Sequence, residues 1–543
     1  MEIEVKGHSG CPIDIVREGS DLFIYKSSYD KNYLDRLERQ ARKQQEAWKQ
    51  EYQHIRIPEI FNIVHDDEHV SIKMEYVYSR NFIEYFETAG FEQIDYFIKA
   101  LILFIERELQ SSPLQLVKTS KTLDKFVDVK SKILGNPLLA DDIDIAHLIK
   151  ESERKFAEFT KLGYIKIPLG ICHGDLTFSN ILFNGNNYYL IDFLDSFIES
   201  PLLDIVKIRQ DSAHLWSQLM YTKSYDRLRL KIICNKIDRD VDKYFQKYDW
   251  YNNFYVLYQL LNLLRILQYA KEKKVISYLK KEIAKVLKVE AEVCHSRNYS
   301  LEKTKQSDKF SLIVPAAADS EEHPEAMPYI FSLDSSGIML CLRSIQGLNL
   351  KVFDNIYFTI LRKHAEKFCL KELFEIQFRR LGLNNVRLVI LDEPTQSQTE
   401  TVYRTLIQED IGGGIFIKDA DGIFRGEIRR ENGIAIYPLE QMTIVNPRNK
   451  SYVTVDDMYY ITNVIEKRVV GHYFNAGGSS FENASDFIVY YRTLSQNIDK
   501  VFISHIIYQM LLNKNKFRPI EVTDFKDWGN RELFEYYIKK IRI

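Results

Sequence analysis

The chain has 543 residues, and its 74 basic and 76 acidic side chains leave a formal net charge of −2, so no global field draws it to nucleic acid or to an anionic membrane. That length exceeds what one hydrophobic core organises, so two or more domains are expected. Hydrophobic residues at 45% and charged residues at 28% describe a folded soluble chain and exclude a disordered one. Six cysteines without C-x-x-C spacing argue against a zinc site or a secreted disulfide framework. The first residues, MEIEVKGHSG, hold no apolar run of a signal peptide. The richest apolar run, Tyr255–Leu267, is broken by Gln259, Asn262 and Arg265, and is too short and polar to span a bilayer. A cytoplasmic protein is expected, with no nucleic-acid partner and no membrane insertion; a homo-oligomer is left open.

In chain order, alternation in EIEV, PIDIV and DLFIYKS predicts strands, and Tyr33–Tyr52 a charged amphipathic helix. HVSIKMEYV returns to a strand. From Phe82 to about Val293 helical periodicity dominates, interrupted by short strands and turns between Cys172 and Phe197. A polar stretch, 295–309, reads as a linker. Beyond it SLIVPAA, NIYFTIL, VRLVILD and GIFIKDAD are apolar β runs separated by helical segments, the pattern of an α/β sheet with parallel strands. The expected division is residues 1–295 (a first lobe 1–78 and a second 79–295), a linker 296–310, and a second domain 311–543.

Two stretches carry chemistry. In the first, ICHGDLTFSNILFNGNNYYLIDFLDS, phosphoryl transfer would find a carboxylate for the attacking hydroxyl, Asp175, and an amide oxygen and a carboxylate for magnesium, Asn180 and Asp192. His173 reads as a brace of the loop. Lys26, at the end of a strand, stands where a phosphate-binding lysine would be, with Glu38 or Glu46 as its pairing acid. The loop Gly7–Gly10, with Ser9, could approach phosphates, and an ordinary hairpin turn is the equal alternative. In the second stretch, Asp419 and Asp421 close a strand and Asp527 lies in DWGN. Two acids and a nearby lysine, Lys467, suit a reaction that gathers negative charge on phosphorus.

The spacing of the first stretch resembles the protein-kinase pattern H-x-D-L-x-x-x-N followed by an aspartate. In its H-G-D…N…I-D-F form it is similar to the aminoglycoside phosphotransferase and choline kinase family, which phosphorylates hydroxyls on small molecules. That resemblance implies a bilobal α+β kinase-like fold, ATP and Mg2+ as cofactors, Asp175 as base, Asn180 and Asp192 as metal ligands, and Met74–Val77, with Glu75 and Val77, as the hinge that meets adenine. The C-terminal half resembles nucleotidyltransferases with a Rossmann-like α/β (GT-A-like) sheet, in the order SLIVPAA, PTQSQ with Gln398 and Thr401 at the base, GIFIKDAD, IEK with Lys467 at the acceptor phosphate, and DWGN. It departs from that family in its first loop, 316–328, which is acidic and lacks Gly, Lys and Arg. Together the resemblances imply a bifunctional enzyme for surface-polysaccharide precursors. It would phosphorylate a small alcohol or sugar with ATP and then transfer a nucleotidyl group from an NTP, CTP by resemblance to phosphocholine and polyol-phosphate cytidylyltransferases. The alternatives are an anomeric sugar kinase joined to a UDP- or GDP-sugar pyrophosphorylase, or a kinase joined to a D-x-D glycosyltransferase or a non-catalytic nucleotide-binding domain.

Overall fold

A computed structural model describes residues 11–292 (side chains to 288), 307–317, 326–442, 450–496 and 500–529. The chain divides into two compact units. The first comprises Met1–Glu87 and Gln93–Asn298, and the second Tyr299–Ile543 together with the short piece Thr88–Glu92.

The first unit opens with β1 (Ile13–Glu18), β2 (Asp21–Ser28), α1 (Leu34–Trp48), β3 (Ile55–Arg56), β4 (Ile60–His65) and β5 (Val70–Glu75). Period-two alternation makes an antiparallel sheet in the order β1-β2-β5-β4. Its inner face and the apolar stripe of α1 share a small core of Leu34, Leu37, Ala41, Ile60, Val70 and Ile72. Lys26 sits mid-sheet, opposite Ile13 on one side and Ile72 on the other.

The remainder of the unit is largely helical: α2 (Phe82–Phe86), α3 (Phe91–Gln110), β6 (Leu114–Lys118), α4 (Thr119–Leu134), α5 (Ile143–Thr160), β7 (Tyr164–Pro168), β8 (Ile181–Asn184), β9 (Asn187–Leu190), α6 (Pro201–Ser212), α7 (Arg227–Phe245), α8 (Asp249–Leu267) and α9 (Lys273–Glu292). Local chemistry sets several starts. Asp142 accepts from the Asp144 and Ile145 amides to cap α5, and Ser200 caps α6 with Pro201 in its first turn. The β6–β7 pair is an antiparallel ribbon across 45 intervening residues that the helical periodicity of this region does not reveal. Helices α4, α5, α8 and α9 enclose a core of leucine, isoleucine and phenylalanine.

The second unit runs β10 (Phe310–Pro315), α10 (Leu340–Arg343), β11 (Asn355–Leu361), α11 (Arg362–Lys367), α12 (Leu370–Arg380), β12 (Val386–Leu391), α13 (Gln398–Gln408), β13 (Gly414–Lys418), β14 (Gly422–Arg425), β15 (Gly433–Pro438), β16 (Ser451–Val455), β17 (Ile461–Glu466), β18 (Tyr473–Phe481), α14 (Ala484–Ser495), α15 (Ile503–Leu512), β19 (Arg518–Glu521) and β20 (Thr523–Asp527). The main sheet is ordered β12-β11-β10-β13-β18-β15-β19, and β10 to β13 are mutually parallel. Every residue of β10 is buried, as a strand covered on both faces requires. So the parallel sheet expected from the four apolar runs is present, with β18 turned antiparallel against β13. A separate ribbon pairs β14 with β20 and carries Asp527 back beside Gly422. Among the described residues no helix is long and apolar enough to cross a membrane.

Candidate active site

The loop His173–Asn180 is built around a glycine. Gly174 has φ +88°, and a Cβ there would stand 2.0 Å from the Leu194 carbonyl oxygen, so no other residue fits without moving that backbone. Three bonds tie this loop to the segment after β9: the Ile191 amide donates to the Asn180 carbonyl (3.1 Å), the Leu194 amide donates to the His173 carbonyl (3.0 Å), and His173 Nε2 meets the Ile191 carbonyl (3.0 Å). They bracket Asp192, itself in the left-handed region at φ +62°. His173 is buried against Phe193, and burial, first of all, lowers its pKa to about 4. A neutral ring that braces the backbone is the result.

Asp175 and Asn180 are in direct contact: the Asn180 amide nitrogen donates to the Asp175 carbonyl (2.8 Å) and to its Oδ2 (3.1 Å). Lys207 of α6 lies 3.0 Å from Asp175 Oδ1. Burial alone would raise the Asp175 pKa. The charge and hydrogen bond of Lys207 outweigh it, with help from His173 and Asn180, and hold the carboxyl below its usual value. Lys26 Nζ meets Asp192 Oδ1 at 2.6 Å, which brings β2 and the second acid together. Lys26 therefore pairs with Asp192 and not with an acid of α1. Glu46 is exposed on the outer face of that helix, and Glu38 is bonded to Arg42 and His65. The helix contributes Lys43 instead, whose ammonium donates to the Leu194 carbonyl and to Glu199, both at 2.6 Å.

Behind the loop stands α6. Asp204, fully buried, accepts from the His173 amide (2.5 Å) and the Gly174 amide (2.7 Å). Seven residues on, Asp211 accepts from the Phe178 amide (2.7 Å) and from Ser217. Burial raises both to about 6 against those hydrogen bonds. Sequence reasoning missed these two acids. Their signal was available: two aspartates two turns apart in one helix (PLLDIVKIRQDS) place both carboxylates on the same face.

Glu75 ends β5, and its Oε2 accepts from the Glu59 amide (3.2 Å); Val77 follows in the connection to Arg80, which bridges to Phe183 of β8. Ser9 and the Gly7–Gly10 loop lie outside the described residues, as do 318–325 of the acidic 316–328 loop and most of the expected linker.

In the second unit three acids gather at the strand ends. The Asp419 amide bonds the Gly477 carbonyl (2.9 Å), and Gly477, at φ +82°, leaves room for that carboxylate: a Cβ there would be 2.7 Å from Asp419 Oδ2. Gly529 stands against both remaining acids, since a Cβ on it would lie 2.9 Å from Asp421 Oδ2 and 3.0 Å from Asp527 Oδ1. Burial, then the charges of Asp419 and Asp527, raise the Asp421 pKa. Two lysines answer this charge. Lys450 pairs with Asp527, and buried Lys418 donates to the Asp419 and Gly422 carbonyls, its pKa lowered by desolvation to about 8. Gln398 opens α13 and donates to Asp419 Oδ1 (2.5 Å).

Two expectations change here. Thr401 is buried, with its hydroxyl bonded to that of Thr395 (2.7 Å) just before the helix. Lys467 is exposed at φ +59° with its ammonium over the Phe502 ring; its amide bonds the Lys450 carbonyl, and it is Lys450 that reaches the acids. Among the described residues no three His, Cys, Asp or Glu side chains converge as a metal-binding group.

Residues 32–225 match the model of the Phosphotransferase enzyme family. No curated protein matches the chain. Among solved structures, a nucleoside-diphosphate-sugar pyrophosphorylase from Vibrio cholerae RC9 is similar at 12% identity over 42% of this chain and 99% of its own, with a TM-score of 0.36. An inositol-1-phosphate CTP transferase from T. maritima is similar at 13% identity over 44% of this chain and 98% of its own, with a TM-score of 0.33.

Proposed function

We propose that the first unit transfers the terminal phosphoryl group of ATP to a hydroxyl of a small alcohol or sugar, with Asp175 as the base. The contact of Asp175 with Asn180, beside an Asp192 gripped by Lys26, is the observation that carries this reading. An aspartate held ionised accepts or orients the hydroxyl proton at its carboxylate. Asn180 spends its NH2 on Asp175 and Asp192 spends Oδ1 on Lys26, so among the described residues the Asn180 amide oxygen and Asp192 Oδ2 are left to coordinate. Two oxygen donors of this kind fit Mg2+, which when bound with ATP neutralises the phosphate charge. Lys26 then serves as a point charge for the nucleotide phosphates.

For the second unit the proposal is nucleotidyl transfer to the phosphorylated product, with CTP the expected donor. Asp419 or Asp421, with Asp527, would offer a pair of oxygen donors to a divalent metal, and Lys450, with buried Lys418, offsets the charge of these acids. The joint product would be a nucleotide-activated precursor for surface polysaccharide made in the cytoplasm. An assay of the whole protein with ATP, Mg2+, a panel of alcohols and each NTP, with products separated by mass, tests both halves. Phosphorylation that survives Asp175→Asn would sink the first. Absence of pyrophosphate with every NTP and every phosphorylated product would sink the second. Consumption of a nucleotide-sugar without pyrophosphate would point to a D-x-D glycosyltransferase instead.

A further inference from the structure

Glu108 of α3 is 1% exposed, and among the described residues neither of its carboxyl oxygens meets a hydrogen-bond donor. Around it stand Lys43 of α1, Tyr52 beyond that helix, Cys172 just before the His173–Asn180 loop, Glu199 ahead of α6 and Asp204 within it. The ammonium of Lys43 is committed to the Leu194 carbonyl and to Glu199, and the Cys172 thiol also donates to Glu199 (3.0 Å). The group within hydrogen-bond reach of Glu108 is the carboxyl of Asp204. Two adjoining carboxylates cut off from water are too costly to keep both ionised, so a proton lies between them. Asp204 holds the negative charge, because its two oxygens accept the His173 and Gly174 amides, whereas Glu108 accepts nothing. The O–H of a neutral Glu108 then has its acceptor in a remaining lone pair of Asp204. Burial, then the charge of Asp204, raise the Glu108 pKa well above its ordinary value, with Lys43 opposing.

Resting on the kinase reading above, we infer that Glu108 is a positioning residue of the phosphoryl-transfer site, a protonated acid whose O–H donates to Asp204 and so fixes, through that carboxylate, the His173–Gly174 turn that leads into Asp175. The line from α3 to the base is continuous: Glu108 to Asp204, Asp204 to the His173 and Gly174 amides, and Asp175 the next residue. A buried carboxylate is satisfied best by several donors, and a carboxylic acid adds one without adding charge. An ionised Glu108 would instead set two like charges face to face behind the loop and work against the hold of Asp204 on its amides.

Infrared difference spectroscopy on the full chain at neutral pH reads the proton directly. Wild type is expected to show the C=O stretch of a buried carboxylic acid that Glu108→Gln lacks. Hydrogen exchange followed by mass spectrometry reads the loop. Glu108→Leu, which removes the donor, is expected to speed exchange at the His173 and Gly174 amides ~10–100-fold, the span of one hydrogen bond to a charged group. Glu108→Gln keeps an N–H donor and cannot ionise, so it restores most of that protection. Turnover follows the same order: kcat falls in the leucine variant and recovers in the glutamine one, while the KM for ATP stays within about twofold. A wild type without the acid band, a glutamine variant that exchanges as fast as the leucine one, or a leucine variant that exchanges as slowly as wild type overturns the inference. If a melting curve shows the leucine variant unfolded, the band comparison between wild type and Glu108→Gln decides alone. The band and the exchange rates need no turnover, so failure of the kinase reading appears separately, as absent phosphorylation of every alcohol tried.

Discussion

At the scale of single residues, the acid and amide chemistry of the first site was legible because it is dense in sequence: His173, Asp175, Asn180 and Asp192 lie within 20 positions. The glycine between the first two was not legible as a necessity, since its need comes from the Leu194 carbonyl 20 residues away. Asp175→Asn is expected to lower turnover ~10²–10⁴-fold with ATP binding retained, read by coupled assay and calorimetry. Gly174→Ala meets both an unfavourable φ and a 2.0 Å contact, so a clear drop in melting temperature should accompany loss of activity. His173 offers a pH test. Its folded pKa of about 4 lies below the ordinary 6.5, so between these values the unfolded chain binds the extra proton. The stability it contributes is full above pH 6.5 and is lost as pH falls towards 4, up to about 3 kcal/mol. A histidine NMR titration should find its midpoint near 4, and a midpoint near 6.5 would mean the ring is not buried in solution.

At the scale of elements, α6 explains why the loop holds its shape. Two buried carboxylates seven residues apart receive amides from both ends of the His173–Asn180 loop, and the same helix supplies Lys207 to Asp175. Sequence periodicity marks such a helix as core and says nothing about which loop its acids hold. That partner choice is tertiary, as is the β6–β7 ribbon hidden inside a helical stretch. Asp204→Ala leaves two buried amides without an acceptor, a loss of about 2–4 kcal/mol in urea unfolding. Asp204→Asn keeps one acceptor and removes a buried charge, so it should stay closer to wild type in stability while still slowing phosphorylation. The same gap between spacing and packing separates Lys467 from Lys450: both flank the β16–β17 pair, and only the fold tells which one turns towards Asp527.

At the scale of the molecule, the chain divides into two compact units, the first ending at Asn298 and the main stretch of the second beginning at Tyr299. If the two chemistries are separate, Asp527→Ala should stop pyrophosphate release and leave ATP-dependent phosphorylation intact, so that a phosphorylated intermediate accumulates in the mass spectrum. Loss of both activities would contradict the division of labour. The second unit, however, is not one continuous stretch. It takes in Thr88–Glu92, whose carbonyls at Thr88 and Ala89 receive the Asn463 amide and the Tyr508 hydroxyl, each at 2.9 Å. Ala89 leaves the ribosome 419 residues ahead of Tyr508. At ~5–20 residues per second that interval is roughly 20–80 s. During translation those two carbonyls wait that long for Asn463 and Tyr508, so the second unit is completed on a piece of backbone synthesised before most of the first.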